Sequence, residues 1–157
     1  EFRGKSGKTH RTAFRDRRLA RVIRACQDLR GQRLFKYLDE AGETRSVMSG
    51  DVNDYIREAI GEGFTAKDFR TWFGTLAAAR ALSLTPRPDT EAGRKAEVTR
   101  GVKAVAGLLG NTPAVCRKAY IHPAVIEAWT AGRLPLKAAS SGRAFETAVI
   151  RFLERRG

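Results

Sequence analysis

Thr65-Ala66-Lys67-Asp68-Phe69-Arg70-Thr71-Trp72-Phe73, continued by Gly74-Thr75-Leu76-Ala77-Ala78-Ala79, is the stretch on which the fold turns. Thr65 with Asp68 three residues later has the form of a capping box with Asp in place of Glu, which predicts a helix start. Beyond it Phe69, Trp72, Phe73, Leu76 and Ala79 recur at helical spacing, so the expected element is a long central helix with these five on its buried stripe.

Towards the C-terminus, Pro86 and Pro88 break the chain, and a helix from about Glu91 to Leu109 is predicted to bury Val98, Val102, Val105 and Leu109 before Gly110 stops it. Thr112-Pro113 starts another helix, with Thr as cap and Pro in the first turn, and that helix is expected to carry Tyr120. Pro123 restarts the chain through Trp129, Gly132 ends that helix, and Ser141 begins the last one with Phe145, Val149, Phe152 and Leu153 inward.

Towards the N-terminus, a helix after Ser49 ends at Gly61 and Gly63 and places Val52, Tyr55, Ile56 and Ile60 inward, which makes Tyr55 a core residue. A short Leu34 to Leu38 segment and a polar turn precede it. Asp16 caps a helix with Leu19, Val22, Ile23 and Cys26 on one face and Arg17, Arg21 and Arg24 on another. The opening, Phe2-Arg3 then Thr9 to Phe14 across a glycine-rich turn, reads as a β-hairpin. The fold expected is mainly α, a multi-helix domain with one small N-terminal hairpin. Residues 1–14 form the lysine-bearing hairpin and residues 15–157 the helical body, together most of one domain cut from something longer.

The 157 residues hold 30 Lys and Arg against 17 Asp and Glu, a net charge of +13 that points to a polyanion, nucleic acid first. Residues 1–38 contribute twelve basic and three acidic residues and should face it, while residues 39–63, with seven acidic residues against Arg45 and Arg57, should face away. Apolar runs such as Leu76 to Ala79 are too short to span a bilayer and no signal-peptide pattern opens the chain, so a cytoplasmic protein without a membrane partner is expected. Cys26, Cys116, His10 and His122 stand at no metal-ligand spacing, so the cysteines read as buried free thiols and no metal is expected.

Gly4-Lys5-Ser6-Gly7-Lys8-Thr9 ends like a nucleotide-binding loop, but position 2 is Phe where that motif needs Gly, and a strand follows where a helix should. No nucleotide is expected; Lys5 and Lys8 in a hairpin are instead placed to reach a phosphate. Arg70, in the first turns of a helix where a cation gains nothing from the dipole, reads from the pattern alone first as an ordinary surface arginine paired with Asp68 or an acid on the preceding helix. Tyr120 follows Arg117-Lys118-Ala119, a setting that suits a phosphoryl-transfer nucleophile but is also that of many amphipathic packing residues.

Taken in order, Phe2-Arg3-Gly4-Lys5, Lys67-Asp68-Phe69-Arg70-Thr71, Gly110-Asn111-Thr112-Pro113 and Arg117-Lys118-Ala119-Tyr120 resemble the type IB DNA topoisomerases, in particular their small poxvirus-like and bacterial branch, over nearly the whole chain. The resemblance implies a monomeric, nucleoid-associated enzyme that needs neither ATP nor metal nor other cofactor. It nicks and reseals one strand of double-stranded DNA through a 3′-phosphotyrosyl bond. It makes Tyr120 the nucleophile, Lys5 the general acid on the departing 5′ oxygen, Arg70 the phosphate clamp and Asn111 an amide donor. Lys67, Lys118, Arg117, Lys8, Arg17, Arg21 and Arg24 are the accompanying DNA contacts.

Two departures bear on this reading. Many relatives carry His where Asn111 stands, nine residues before the tyrosine, and Asn donates a hydrogen bond but no proton. The family also uses an arginine upstream of the lysine hairpin and an N-terminal domain that closes around DNA, and both are expected to lie outside this chain. The rival readings are a tyrosine recombinase, which usually has His where Lys67 stands, and a non-catalytic DNA-binding module with the same basic surface.

Overall fold

The computed structural model describes residues 2–3, 9–11, 13, 15–136 and 142–156, with the side chains of residues 2, 3 and 10 left aside. Lys5 and Lys8 lie outside the described residues. The chain divides into two compact units, Glu1–Ala66 and Lys67–Gly157.

In the first unit β1 (Phe2–Arg3) pairs antiparallel with β2 (Thr9–His10), Phe2 opposite His10 and Arg3 opposite Thr9. Asp16 then starts α1 (Arg17–Asp28): its Oδ1 accepts the Arg18 and Leu19 amides at 2.8 and 2.9 Å, satisfying two of the donors a helix start leaves open. β3 (Lys36–Leu38) and β4 (Thr44–Ser46) form a second antiparallel pair, with Tyr37 opposite Arg45. Asp39 organises the turn between them, accepting the Ala41 and Glu43 amides and pairing with Arg45 at 2.8 Å. The unit ends with α2 (Ser49–Ile60), where Met48 occupies the cap position and Gly61 ends the helix at φ +116°.

The second unit holds α3 (Ala66–Ser83, all but its first residue), α4 (Glu91–Leu109), α5 (Pro113–Ala119), α6 (Pro123–Thr130) and α7 (Gly142–Glu154). Short polar caps set these boundaries. Thr90 accepts from Gly93 and Thr112 from Val115, Pro113 and Pro123 occupy first turns, and Gly110 closes α4 in the left-handed conformation at φ +65°. The hydrophobic core lies in this unit, where Ala78, Ala79 and Leu82 meet Val98, Val102 and Val105, Cys116, Val125 and Trp129, and Phe145, Val149 and Phe152.

The mainly helical architecture with a small antiparallel sheet is as expected, and the helices from α4 onward match their expected bounds closely. Four expectations are corrected. Among the described residues there are two small sheets, not one. Tyr55 is 70% exposed, and Leu19 and Val22 on α1 are likewise exposed, so neither first-unit helix buries a described side chain. On α3 the buried face is Gly74, Thr75, Ala78, Ala79 and Leu82, with Phe69 and Phe73 half or more exposed. Small residues let neighbouring backbones approach closely, and that close packing, not side-chain size, selects the inner face. Cys116 is fully buried, but Cys26 only partly so. No described helix is long and apolar enough to cross a membrane.

Candidate active site

Arg70, remote in sequence from Asn111 and Tyr120, comes together with them within the second unit. Tyr120 caps the C-terminus of α5, outside the helix expected to carry it: its φ and ψ are −128° and −2°, and its N–H donates to the Cys116 carbonyl at 3.0 Å. It is half-buried, with its ring against the core. Arg70, on the first turns of α3, places its guanidinium carbon 5.1 Å from the centroid of that ring, a cation–π arrangement. Its Nη2 donates to the Leu109 carbonyl at 2.9 Å. That carbonyl belongs to the last turn of α4, where unpaired oxygens and the helix dipole favour a cation.

Asn111 donates from Nδ2 to the same Leu109 carbonyl at 3.1 Å, while its own N–H bonds to Ala106. Two side-chain donors, one cationic and one neutral, thus meet on a single oxygen, and the cationic one also lies over the Tyr120 ring. Gly110 makes this possible, because its left-handed backbone turns the chain back over the end of α4.

Cys116, one turn before Tyr120, has its thiol pushed up by burial, with the nearby Arg70 charge pulling the other way as the smaller effect. Arg117 and Lys118 are exposed in the last turn of α5 next to Tyr120, and Lys67 is exposed one turn before Arg70. Arg17, Arg21 and Arg24 are exposed on α1 in the first unit. Lys5 and Lys8 fall outside the described residues. Among the described residues no group of three His, Cys, Asp or Glu side chains could hold a metal ion. His122 instead caps α6, its Nδ1 accepting the Ala124 amide at 3.2 Å.

Sequence reasoning missed three residues that line the segment bearing the tyrosine: Thr71 bonds to the Ala119 carbonyl, Gly74 lies against Tyr120, and Thr75 accepts the His122 amide. The available signal was the glycine within an otherwise strong helical pattern, which usually has a packing reason.

The family described as "Eukaryotic DNA topoisomerase I, catalytic core" matches residues 1–139. The chain belongs to this topoisomerase I family. A curated relative, DNA topoisomerase 1B of Acanthamoeba polyphaga mimivirus, is 35% identical over 133 residues, which is 80% of this chain and 40% of that protein. The chain therefore spans less than half the length of that topoisomerase relative. The matched span takes in Arg70, Asn111 and Tyr120 together with the α3–α5 scaffold that assembles them.

Proposed function

We propose that this chain supplies most of the active site of a type IB DNA topoisomerase, relaxing supercoils by transient cleavage and religation of one strand. The observation that carries the reading is the placement of the Arg70 guanidinium over the Tyr120 ring with Asn111 sharing its acceptor. The Tyr120 hydroxyl loses its proton to solvent as its oxygen attacks the scissile phosphorus, the bond to the 5′ oxygen breaks, and Lys5 protonates that leaving oxygen. Religation runs the same steps backward, with the 5′ hydroxyl displacing Tyr120. Because the phosphotyrosyl bond conserves the energy of the phosphodiester, no ATP is consumed, and this mechanism assigns no step to a metal.

Arg70 acts on the non-bridging oxygens. Its planar fork of donors, now directed at a helix-end carbonyl, is suited to oxygens whose charge rises in the transition state. Asn111 adds a neutral donor to the same region, a role for which its amide suffices without proton transfer. Lys67, Lys118, Arg117, Lys8, Arg17, Arg21 and Arg24 contact the duplex backbone, and the working unit is a monomer on double-stranded DNA.

The test uses the full-length protein with supercoiled plasmid in EDTA, quenched with detergent. Relaxation, together with protein attached to the 3′ end of the nicked strand, is expected. Attachment to a 5′ end, or binding with no relaxation, would overturn the reading in favour of different chemistry or of a DNA-binding module.

A further inference from the structure

The link from α5 to α6, Ala119 to His122, rests on one face of α3. Thr71 Oγ1 lies 3.3 Å from the Ala119 carbonyl and 3.1 Å from the Lys67 carbonyl of its own helix, so its one proton is shared between the two. Thr75, only 2% exposed, accepts the His122 N–H on its Oγ1 at 3.1 Å. Between these contacts Gly74 is buried, and a Cβ there would overlap the carbonyl oxygen of Tyr120 and stand 3.2 Å from its carbonyl carbon and from its Cβ. Residues 71, 74 and 75 have the i, i+3, i+4 spacing of a single helix face. Gly74 is not among the glycines with positive φ, so what it provides is space and not conformational freedom.

Arg70 lies four residues before Gly74, one turn away on the same side of α3. One helix thus holds the guanidinium over the tyrosine ring and also sets the depth at which the tyrosine backbone is seated. All three contacts are made to main-chain atoms of the link or to the base of the side chain. They leave the Tyr120 hydroxyl end unengaged by the cradle.

We propose that Thr71, Gly74 and Thr75 are positioning residues that fix the Tyr120 backbone relative to Arg70, so that the hydroxyl meets the clamped phosphate at a set distance and angle. This rests on the reading of Tyr120 as nucleophile. In-line displacement depends steeply on that geometry: a shift of about 1 Å at the reacting group lowers rates by about 100-fold. A methyl at position 74 forces a displacement of that order, because the atoms it meets are backbone with no rotamer to yield.

The test compares Gly74→Ala, Thr75→Val and Thr75→Ser with wild type in the full-length protein. It measures single-turnover adduct formation, DNA affinity, thermal unfolding and hydrogen exchange at the His122 amide. Gly74→Ala should form the adduct about 100-fold more slowly. Thr75→Val, which removes one hydrogen-bond acceptor, should be about tenfold slower. Both variants should bind DNA with wild-type affinity. Exchange at His122 should accelerate in Thr75→Val, and Thr75→Ser should restore both rate and protection. Wild-type rates in both Gly74→Ala and Thr75→Val, or losses that merely follow the folded fraction or DNA affinity, would overturn the proposal. Should wild type form no adduct, the nucleophile reading itself fails. The cradle is then judged by His122 exchange alone, and unchanged exchange in Thr75→Val overturns it.

Discussion

The guanidinium of Arg70 sits over the ring of Tyr120 at 5.1 Å while its Nη2 is bonded to the Leu109 carbonyl at 2.9 Å, joining the start of α3 to the ends of α4 and α5. Because Arg70 is exposed, the ring contact contributes only about 0.5–1 kcal/mol to stability. In the proposed mechanism the arrangement matters more for where it holds a cation that a phosphate can recruit.

Replacing Arg70 with Ala should therefore leave folding nearly intact and lower the cleavage rate by about 100- to 1,000-fold, the range for losing one preorganised donor to developing charge. Arg70→Lys should recover little, since a point-charged ammonium lacks the planar fork. Single-turnover cleavage with denaturation midpoints measured in parallel checks both statements. A lysine variant of wild-type rate would mean that charge alone suffices.

Lys5→Ala should slow cleavage of ordinary DNA. A substrate whose 5′ leaving group needs no protonation should restore the rate if Lys5 is the general acid. Equal slowing on both substrates would assign Lys5 to binding instead.

Salt dependence separates the side chains proposed to hold the duplex from those proposed to act on one phosphate. Lys67→Ala, Arg117→Ala and Lys118→Ala should each lower the slope of log affinity against log salt by about 1 for each phosphate that the native side chain neutralises. The weakening should be uniform across DNA sequences. A titration series in increasing salt reads the slopes, and an unchanged slope removes that residue from the interface.

Cys116 offers a check on the core beneath the tyrosine. Burial raises its pKa in the folded state above the ordinary 9.0, with Arg70 opposing, so the folded chain keeps the thiol proton to higher pH than the unfolded chain does. The stability this contributes is intact below 9.0 and is lost as pH rises through the folded value. Denaturation midpoints should consequently fall more steeply above pH 9.0 in wild type than in Cys116→Ala. Near neutrality the thiol should resist alkylating reagents that reach the partly buried Cys26 first.

Much of the second unit was legible because its signals are local. Thr112, Pro113, Pro123 and Gly110 act within one turn of their own positions, and each marks the boundary it was expected to mark. The inner face of α3 was misread because Phe69 and Phe73 outweigh Gly74, Thr75 and Ala78 in any hydrophobic pattern, whereas the packing there is decided by how closely α3 approaches the Tyr120 backbone. The β3–β4 pair escaped notice because its strands are three residues long and carry Tyr37 and Leu38 exposed, with only Lys36 buried. At the site, the residue types of Arg70, Asn111 and Tyr120 could be named from their order, but not the carbonyl of Leu109 on which two of them meet. That meeting depends on the left-handed turn at Gly110 and on contacts spanning the packed helices.

The central claim is that Tyr120 bonds covalently to DNA. Detergent-trapped adducts of the full-length protein, digested and mapped by mass spectrometry, should carry the 3′-phosphoryl nucleotide on the peptide containing Tyr120. The adduct should vanish in Tyr120→Phe while DNA affinity is retained. An adduct that persists in Tyr120→Phe, or maps to another residue, would contradict the account.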